Sequence, residues 1–302
     1  MAIRTWESEE YRTFWDQSDF AYLDRMERRI LRKLIGSGNW FIDVGGGYGR
    51  LMDIYKDQFK NVVISDYSLS MLEDAGRCLA REGIRNVSLV ATDAHKLPFV
   101  DSAFDSAMML RLVHHIIKPA PVIQEARRII KPGGTFLLEY QNKRNIGFRI
   151  KATLGLMKRQ DLTTLDPLEA GPMYWIFHPL AMEQLVSEGF VLEETLGGGI
   201  FWRRKVLTTL IPKLEVIDSV LARYLGRHAL THQLFLKLRA QKGGSPQDSR
   251  PSVHNSSLID ILKCPKCGQA GLRETGSRTS CTQCRQEYPK TGLIYDFRLT
   301  GS

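Results

Sequence analysis

The stretch WFIDVGGGYGR, residues 40–50, runs a short apolar strand pattern into four glycines in five residues. A glycine-rich turn after a strand lets a ligand approach the backbone closely. The neighbouring residues narrow the choice of ligand. Gly45, Gly47 and Gly49 give G-x-G-x-G, and Arg50 stands where a dinucleotide loop has its third glycine. The Gly-Lys-Ser/Thr of a nucleoside-triphosphate loop is absent. Asp43 ends the strand two residues before the first glycine. A carboxylate there repels a pyrophosphate and suits a ligand bearing an ammonium group. Asp66 ends the next strand pattern, NVVISD (61–66), 21 residues after Gly45, where a ribose-binding carboxylate belongs. Asp93 ends a third, VSLVATD (87–93), and can accept from the exocyclic amine of adenine beside apolar Leu97 and Phe99.

Outward from this unit, DSAMML (105–110) and GTFLLEY (134–140) read as further strands, with helical stretches between them. SLSMLEDAGRCLAREG opens on a Ser70-x-x-Glu73 capping box and stops at Gly83. Its apolar stripe includes Cys78, which reads as core rather than nucleophile. PAPVIQEARRII stops at KPGG. Residues 1–36 read as helix, with Leu23, Met26, Ile30, Leu31 and Leu34 at helical spacing. Strand–helix alternation with short loops implies a parallel sheet covered on both faces. After Tyr140 come an insertion at 143–177, a helix-plus-strand stretch from His178, and an amphipathic helix at 203–226. That helix has Leu207, Leu210, Ile211, Leu214, Ile217, Leu221 and Leu225 on one face. HQLFLKLRA reads as the last strand of a domain spanning 1–240, with its core at 36–140. Residues 241–257, rich in Gly, Ser and Pro, read as a flexible linker to a small module at 258–302.

The 43% hydrophobic and 25% charged composition of the 302 residues suits one large core plus a small extra domain. MAIRTWESEEYRTFW lacks the apolar segment of a signal peptide, and no apolar run approaches the roughly 20 residues of a membrane span. The expectation is a soluble cytoplasmic protein. The net charge of +9 is uneven. Residues 143–160 hold six Lys/Arg and no acid, and 203–242 hold nine against Glu215 and Asp218. Such runs serve as solvated helix faces, or as contacts to RNA or an anionic membrane surface.

FIDVGGGYG, ISDYSLSMLEDA, VATDAHKLPFVDSAFD, RLVHHI and EARRIIKPGGTFLLEY occur in the order and spacing of the class I S-adenosylmethionine-dependent methyltransferases. The resemblance is close over about residues 40–140, looser to 240, and nearest to small-molecule and quinone-type members. It implies a Rossmann-like α/β fold, a seven-stranded sheet with helices on both faces. By the same resemblance, Asp43 and the Gly45–Gly49 turn hold the methionyl part of the cofactor. Asp66, with Tyr67 beside it, binds the ribose, and Asp93 and the Ala94 backbone bind adenine. Leu110 and Arg111 line the methionine side, and Tyr11 closes over the cofactor, with packing for Tyr11 and a surface ion pair for Arg111 as the alternatives. Gly46 replaces the Cys or Ala common in the family, a small change expected to be harmless.

The last segment carries CPKCGQAGLRETGSRTSCTQC. Cys264, Cys267, Cys281 and Cys284 form two CxxC pairs thirteen residues apart, a spacing that wraps one tetrahedral Zn²⁺ with no open position. Such a site is structural, a metal staple for a module too small to build a sufficient core. Residues 258–297 also resemble the small zinc-binding activator that partners tRNA, rRNA and release-factor methyltransferases. This resemblance implies a zinc ribbon fused in cis that stabilises the catalytic domain.

The leading expectation is methyl transfer from S-adenosylmethionine to a small-molecule or lipid-like acceptor. Transfer from a sulfonium needs alignment and exclusion of water, and a general base only for a hydroxyl or acidic carbon. His115, Tyr140 and His178 follow strand ends and are the candidates, each with a packing or capping role as its alternative; His95 is expected to face solvent. An RNA methyltransferase is the second reading, favoured by pI ≈ 9.3, the ribbon and the basic segments. Against it, MLRLVHH stands where many nucleic-acid N-methyltransferases carry Asn/Asp-Pro-Pro-Tyr/Phe. A third is a non-catalytic, cofactor-binding partner module.

Overall fold

A computed structural model describes residues 13, 18–201, 213–241 and 257–299. Its centre is a mixed sheet. Strands β1 (Gly38–Val44), β2 (Phe59–Asp66), β3 (Val87–Ala91), β4 (Phe104–Met109) and β5 (Ile130–Gln141) are parallel. β8 (Phe190–Gly198) and β9 (Gln233–Ala240) complete it, β9 running antiparallel between β5 and β8. The order β3-β2-β1-β4-β5-β9-β8 is the expected seven strands. Near-continuous Val, Ile, Leu and Phe in β1, β2 and β5 suit strands buried on both sides.

Helices cover both faces. α1 (Ser18–Leu34), the one-turn α2 (Met52–Tyr55), α3 (Leu69–Glu82) and α8 (Leu214–Arg227) bury Met26, Leu72 and Ala222 against Phe41, Ile64 and Phe235. α4 (Ala120–Ile129) and α7 (Pro179–Ser187) bury Ile123 and Met182 against Trp40, Phe136 and Leu236 on the other face. The helix at 69–82 is capped by Ser68, whose hydroxyl accepts from the Met71 amide, so the expected box at Ser70 is displaced by two residues. Gly83 ends it in the left-handed conformation, as the sequence suggests. Cys78 is partly buried against the core. The 143–177 insertion forms α5 (Ile146–Thr153), α6 (Arg159–Thr163) and a hairpin of β6 (Leu168–Gly171) and β7 (Tyr174–Ile176). Lys143 is buried and ties this insertion down, donating to the Thr164 hydroxyl and, at 2.6 Å, to the Asp166 carbonyl.

The C-terminal module does not hang free. α9 (Leu258–Ile261) is followed by β10 (Leu272–Thr275), β11 (Arg278–Cys281), β12 (Glu287–Thr291) and β13 (Ile294–Asp296). β13 pairs in parallel with β3, Ile294 against Leu89 and Asp296 against Ala91, so one sheet of 11 strands runs through both units. The Val100 amide donates to the Ile261 carbonyl and the Lys263 amide to the Pro98 carbonyl. Leu262, Tyr288 and Phe297 join the same apolar core as Phe99 and Phe104. Residues 242–256, most of the expected linker, lie outside the described residues.

Candidate functional site

A cleft of about 310 Å³ opens at the C-terminal ends of β1, β2, β3 and β4. Parallel sheets bind ligands there because strand-end loops and helix N-termini converge. The glycine loop shapes one wall. Gly45, Gly47 and Gly49 have φ of 75°, 55° and 77°, a region open to glycine at little cost. A methyl group at Gly46 would lie 2.9 Å from the Asp43 carboxyl and from Ile64, so any side chain there would require those two to shift.

The three strand-end acids all line the cleft. Asp43 is buried and accepts from the Tyr55 hydroxyl at 2.9 Å. Burial pushes its carboxyl up to about 7, aided by the negative charge of Asp66 and opposed by Tyr55 and Arg50. The Asp66 carboxylate accepts from the amides of Gly47 and Ser68, both at 2.9 Å, which fixes its orientation toward the loop. Burial raises its pKa despite these bonds. Asp93 accepts from the His95 amide at 2.9 Å and lies 2.8 Å from its Nδ1. His95 therefore lines the cleft instead of facing solvent. Tyr67, Ala94, Leu97, Leu110 and Arg111 line it too. Tyr11 lies outside the described residues.

Behind this wall is a charged network that local sequence patterns do not signal. Glu27 of α1 is fully buried. It accepts from Arg111 Nε at 2.7 Å, Arg50 Nη2 at 2.6 Å and Gln233 Nε2 at 2.9 Å. Burial alone would raise its pKa, but Arg111 and Arg50 outweigh burial and hold it at about 2. Glu139 of β5 takes the Arg111 amide and the Gln141 and Gln233 side-chain amides, and burial pushes it up to about 7. Arg111 itself adopts φ 53°, a conformation uncommon for a residue with a side chain. Its amide bond to Glu139 and its ion pair with Glu27 hold it there. Arg50, read from sequence only as a missing glycine, is thus a lining residue positioned by α1.

The other end of the cleft is apolar. Leu112, Ile116 and Ile117 follow β4, and Met173 and Trp175 come from the β6–β7 hairpin. His115 lines this end, with Nδ1 3.2 Å from the Met173 carbonyl. When Nδ1 donates to this carbonyl, which only accepts, Nε2 is the basic nitrogen. The other two base candidates are elsewhere. Tyr140 is buried in the core against α7 and does not line the cleft. His178 caps α7, accepting from the Leu180 amide, and lines a separate cleft beside Arg144 and Glu183. Of the amphipathic segment expected at 203–226, residues 203–212 lie outside the described residues, and α8 contributes nothing to the cleft lining.

The sulfur atoms of Cys264, Cys267, Cys281 and Cys284 lie within 4.8 Å of one another. The closest pairs, Cys264–Cys284 and Cys267–Cys281, are 3.6 Å apart. A disulfide requires about 2.05 Å. Four thiolates at about 2.3 Å around a tetrahedral zinc are separated by ~3.8 Å. The four sulfurs therefore fit a metal and not two disulfides.

Residues 42–138 match the family described as a methyltransferase domain. The chain is 33% identical over 122 residues to the ubiquinone/menaquinone biosynthesis C-methyltransferase UbiE of Pseudomonas aeruginosa, covering 38% of this chain and 48% of that one. It is 29% identical over 101 residues to the demethylmenaquinone methyltransferase of Paenarthrobacter aurescens, covering 33% and 38%. The chain thus spans about half or less of the length of these curated relatives. Among solved structures it is similar to the PH0226 protein of Pyrococcus horikoshii, with TM-score 0.53, 20% identity and coverage of 78% and 99%. It is also similar to a chain in the complex between the Haloferax volcanii Trm112 methyltransferase activator and the putative methyltransferase, with TM-score 0.53, 16% identity and coverage of 80% and 100%.

Proposed function

We propose that this chain, which carries a class I methyltransferase domain, uses S-adenosylmethionine to methylate a small apolar acceptor such as an isoprenoid-linked aromatic ring. One observation carries the reading: a single cleft joins three strand-end carboxylates to an apolar end lined by Ile116, Ile117, Met173 and Trp175. The bound cofactor would supply a methyl group already activated on a sulfonium. Asp66 would accept from its ribose, Asp93 from its adenine, and Asp43 would face its cationic methionyl part. Arg50 and Arg111, held by Glu27, offer charge for a carboxylate at the same end. Trp175 and Met173 present a flat and an adaptable apolar surface against which a ring can be oriented and water excluded. If the acceptor is a hydroxyl or an acidic carbon, His115 Nε2 is the candidate base, with the Met173 carbonyl fixing its tautomer.

The curated relatives, named as quinone-biosynthesis methyltransferases, support an acceptor of this class. The C-terminal unit is read as a zinc ribbon that supports the catalytic domain in cis, as an activator would in trans. Purified protein incubated with methyl-labelled S-adenosylmethionine and a cell extract tests this directly. Label in the organic-soluble fraction is the expected result. Label in RNA would favour the RNA reading instead. Binding of S-adenosylhomocysteine with no transfer to any fraction would favour the non-catalytic one.

A further inference from the structure

α8 is mounted with its polar side inward. Glu215, Asp218 and Ser219 are buried. Glu215 pairs with Arg25, Asp218 accepts from the Tyr22 hydroxyl and the Gly199 amide, and the Ser219 carbonyl accepts from Lys33. The outward stripe is apolar: Ile217 is 44% exposed, Val220 74%, Leu221 45% and Tyr224 60%. These lie at i, i+3, i+4 and i+7, one face of a helix, whereas a helix on a globular surface usually points that face at the core. Scattered exposed apolar side chains mean little, but a contiguous patch marks a contact surface.

A second stripe adjoins it. Ile146 and Ile150 of α5, with Leu154 and Leu156 just beyond, are 36%, 48%, 67% and 73% exposed. The end of α8 meets the start of α5, where the Ile146 amide donates to the Leu230 carbonyl at 2.9 Å and Arg149 to the His228 carbonyl at 3.1 Å. The charges that border these stripes are mostly basic, with the Arg223–Glu194 ion pair beside α8 as the neutralised exception. Arg149, Lys151, Lys158 and Arg159 lie in or just after α5 and border its stripe, and Lys213 and Arg227 bracket α8. None of the six is ion-paired among the described residues, and both acids of α8 face inward. The acids that follow the basic run within the insertion, Asp161, Asp166 and Glu169, are fewer than the cations before them.

We propose that α5 and α8 together dock this protein on an anionic lipid bilayer. An apolar stripe rimmed by cations is complementary to acyl chains beneath negative headgroups. It suits RNA poorly, because a phosphate backbone offers nothing to Val220 and Leu221. It suits a second copy poorly, because a symmetric contact would set the cationic rim against itself. The proposal deepens the apolar-acceptor reading and rests on it for its purpose. The insertion that exposes α5 also places Met173 and Trp175 in the cleft, so one segment joins the membrane-facing surface to the acceptor end.

Sedimentation of the full chain with vesicles tests the surface. The wild type should bind vesicles of phosphatidylcholine mixed with phosphatidylglycerol and bind phosphatidylcholine alone at least about tenfold more weakly. The exposed-site variant Val220→Gln/Tyr224→Gln should lose about tenfold in affinity for the mixed vesicles, and Lys151→Gln/Arg159→Gln should lose a similar factor together with part of the salt dependence. Both variants should bind S-adenosylhomocysteine like the wild type, which confirms their folding. The proposal is overturned if the wild type ignores mixed vesicles or if the apolar variant binds them unchanged. It is equally overturned if the wild type is a dimer in solution that the same variant splits. Absence of S-adenosylhomocysteine binding in the wild type would sink the methyltransferase reading and leave the vesicle result standing.

Discussion

Asp43 lines the cleft with a carboxyl displaced far from its ordinary range. Burial first, then Asp66, push it up to about 7, with Tyr55 and Arg50 pulling the other way. A ligand that presents an ammonium group to Asp43 prefers the ionised form, so below that pH binding must first displace a proton. Affinity for S-adenosylhomocysteine should rise by up to about tenfold per pH unit below neutrality and level off above it. Titration calorimetry in buffers of different ionisation enthalpy should detect proton release near neutral pH. Asp43→Asn should flatten the profile, which separates this group from Glu139, also near 7 but behind Arg111. A profile that is flat in the wild type would remove Asp43 from this role. Asp66 makes a simpler case. Its carboxylate is already oriented by the Gly47 and Ser68 amides, and charge-assisted hydrogen bonds contribute about 1.5–3 kcal/mol each. Asp66→Ala should weaken S-adenosylhomocysteine binding at least about tenfold. Unchanged calorimetric affinity would contradict the ribose assignment.

At the scale of elements, the C-terminal strands depend on their four cysteines. Cys281 ends β11, which lies between β10 and β12, and β12 in turn pairs with β13. If one zinc per chain holds these sulfurs, Cys281→Ser should lose most of it, as elemental analysis of the purified protein would report. The loss should travel along the sheet, since four short strands have little core of their own. Full zinc content in that variant would place the metal elsewhere. The CxxC spacing of this segment made the four-cysteine cluster legible without any fold. The direction in which α8 faces was not legible. Its sequence offers a stripe of Leu214, Ile217, Leu221 and Leu225, yet Leu214 and Leu225 are buried while Ile217 and Leu221 are exposed. The burial of Glu215 and Asp218 explains the rotation, because their partners Arg25 and Tyr22 come from α1, about 190 residues earlier.

For the whole molecule, the main consequence is that the small unit completes the large one. β13 covers the edge of β3, and the Phe297 amide donates to the Ala91 carbonyl at the strand end next to Thr92 and Asp93. Arg298 then donates to the Tyr67 carbonyl at 3.2 Å and lies 5.6 Å from the Tyr67 ring, while its own charge is paired with Asp296. The module thus braces a residue that lines the cleft. Truncation after Gln241 should uncover the β3 edge and lower the melting temperature. A loss of ~3 kcal/mol corresponds to about 10 °C for a domain of this size. The single change Arg298→Ala should leave melting nearly unaltered and weaken S-adenosylhomocysteine binding by about threefold, on the order of one hydrogen bond. A truncated chain that melts and binds like the full one would show the two units to be independent.

The sequence by itself determined what depends on residues close together in the chain. The strands were readable from short apolar runs, the glycine turn from Gly45, Gly47 and Gly49, the acids Asp43, Asp66 and Asp93 from their places at strand ends, and the cysteine cluster from two CxxC pairs. Each is a local pattern imposed by local backbone geometry. Only the tertiary structure decided what lies opposite them. It put Glu27 behind Arg50 and Arg111, Trp175 and Met173 across from His115, Tyr140 in the core, and β13 along β3. Those arrangements come from packing between segments far apart in the chain. A buried charge such as Glu27 is stable only where its partners arrive from other elements, so no stretch of sequence taken alone records it.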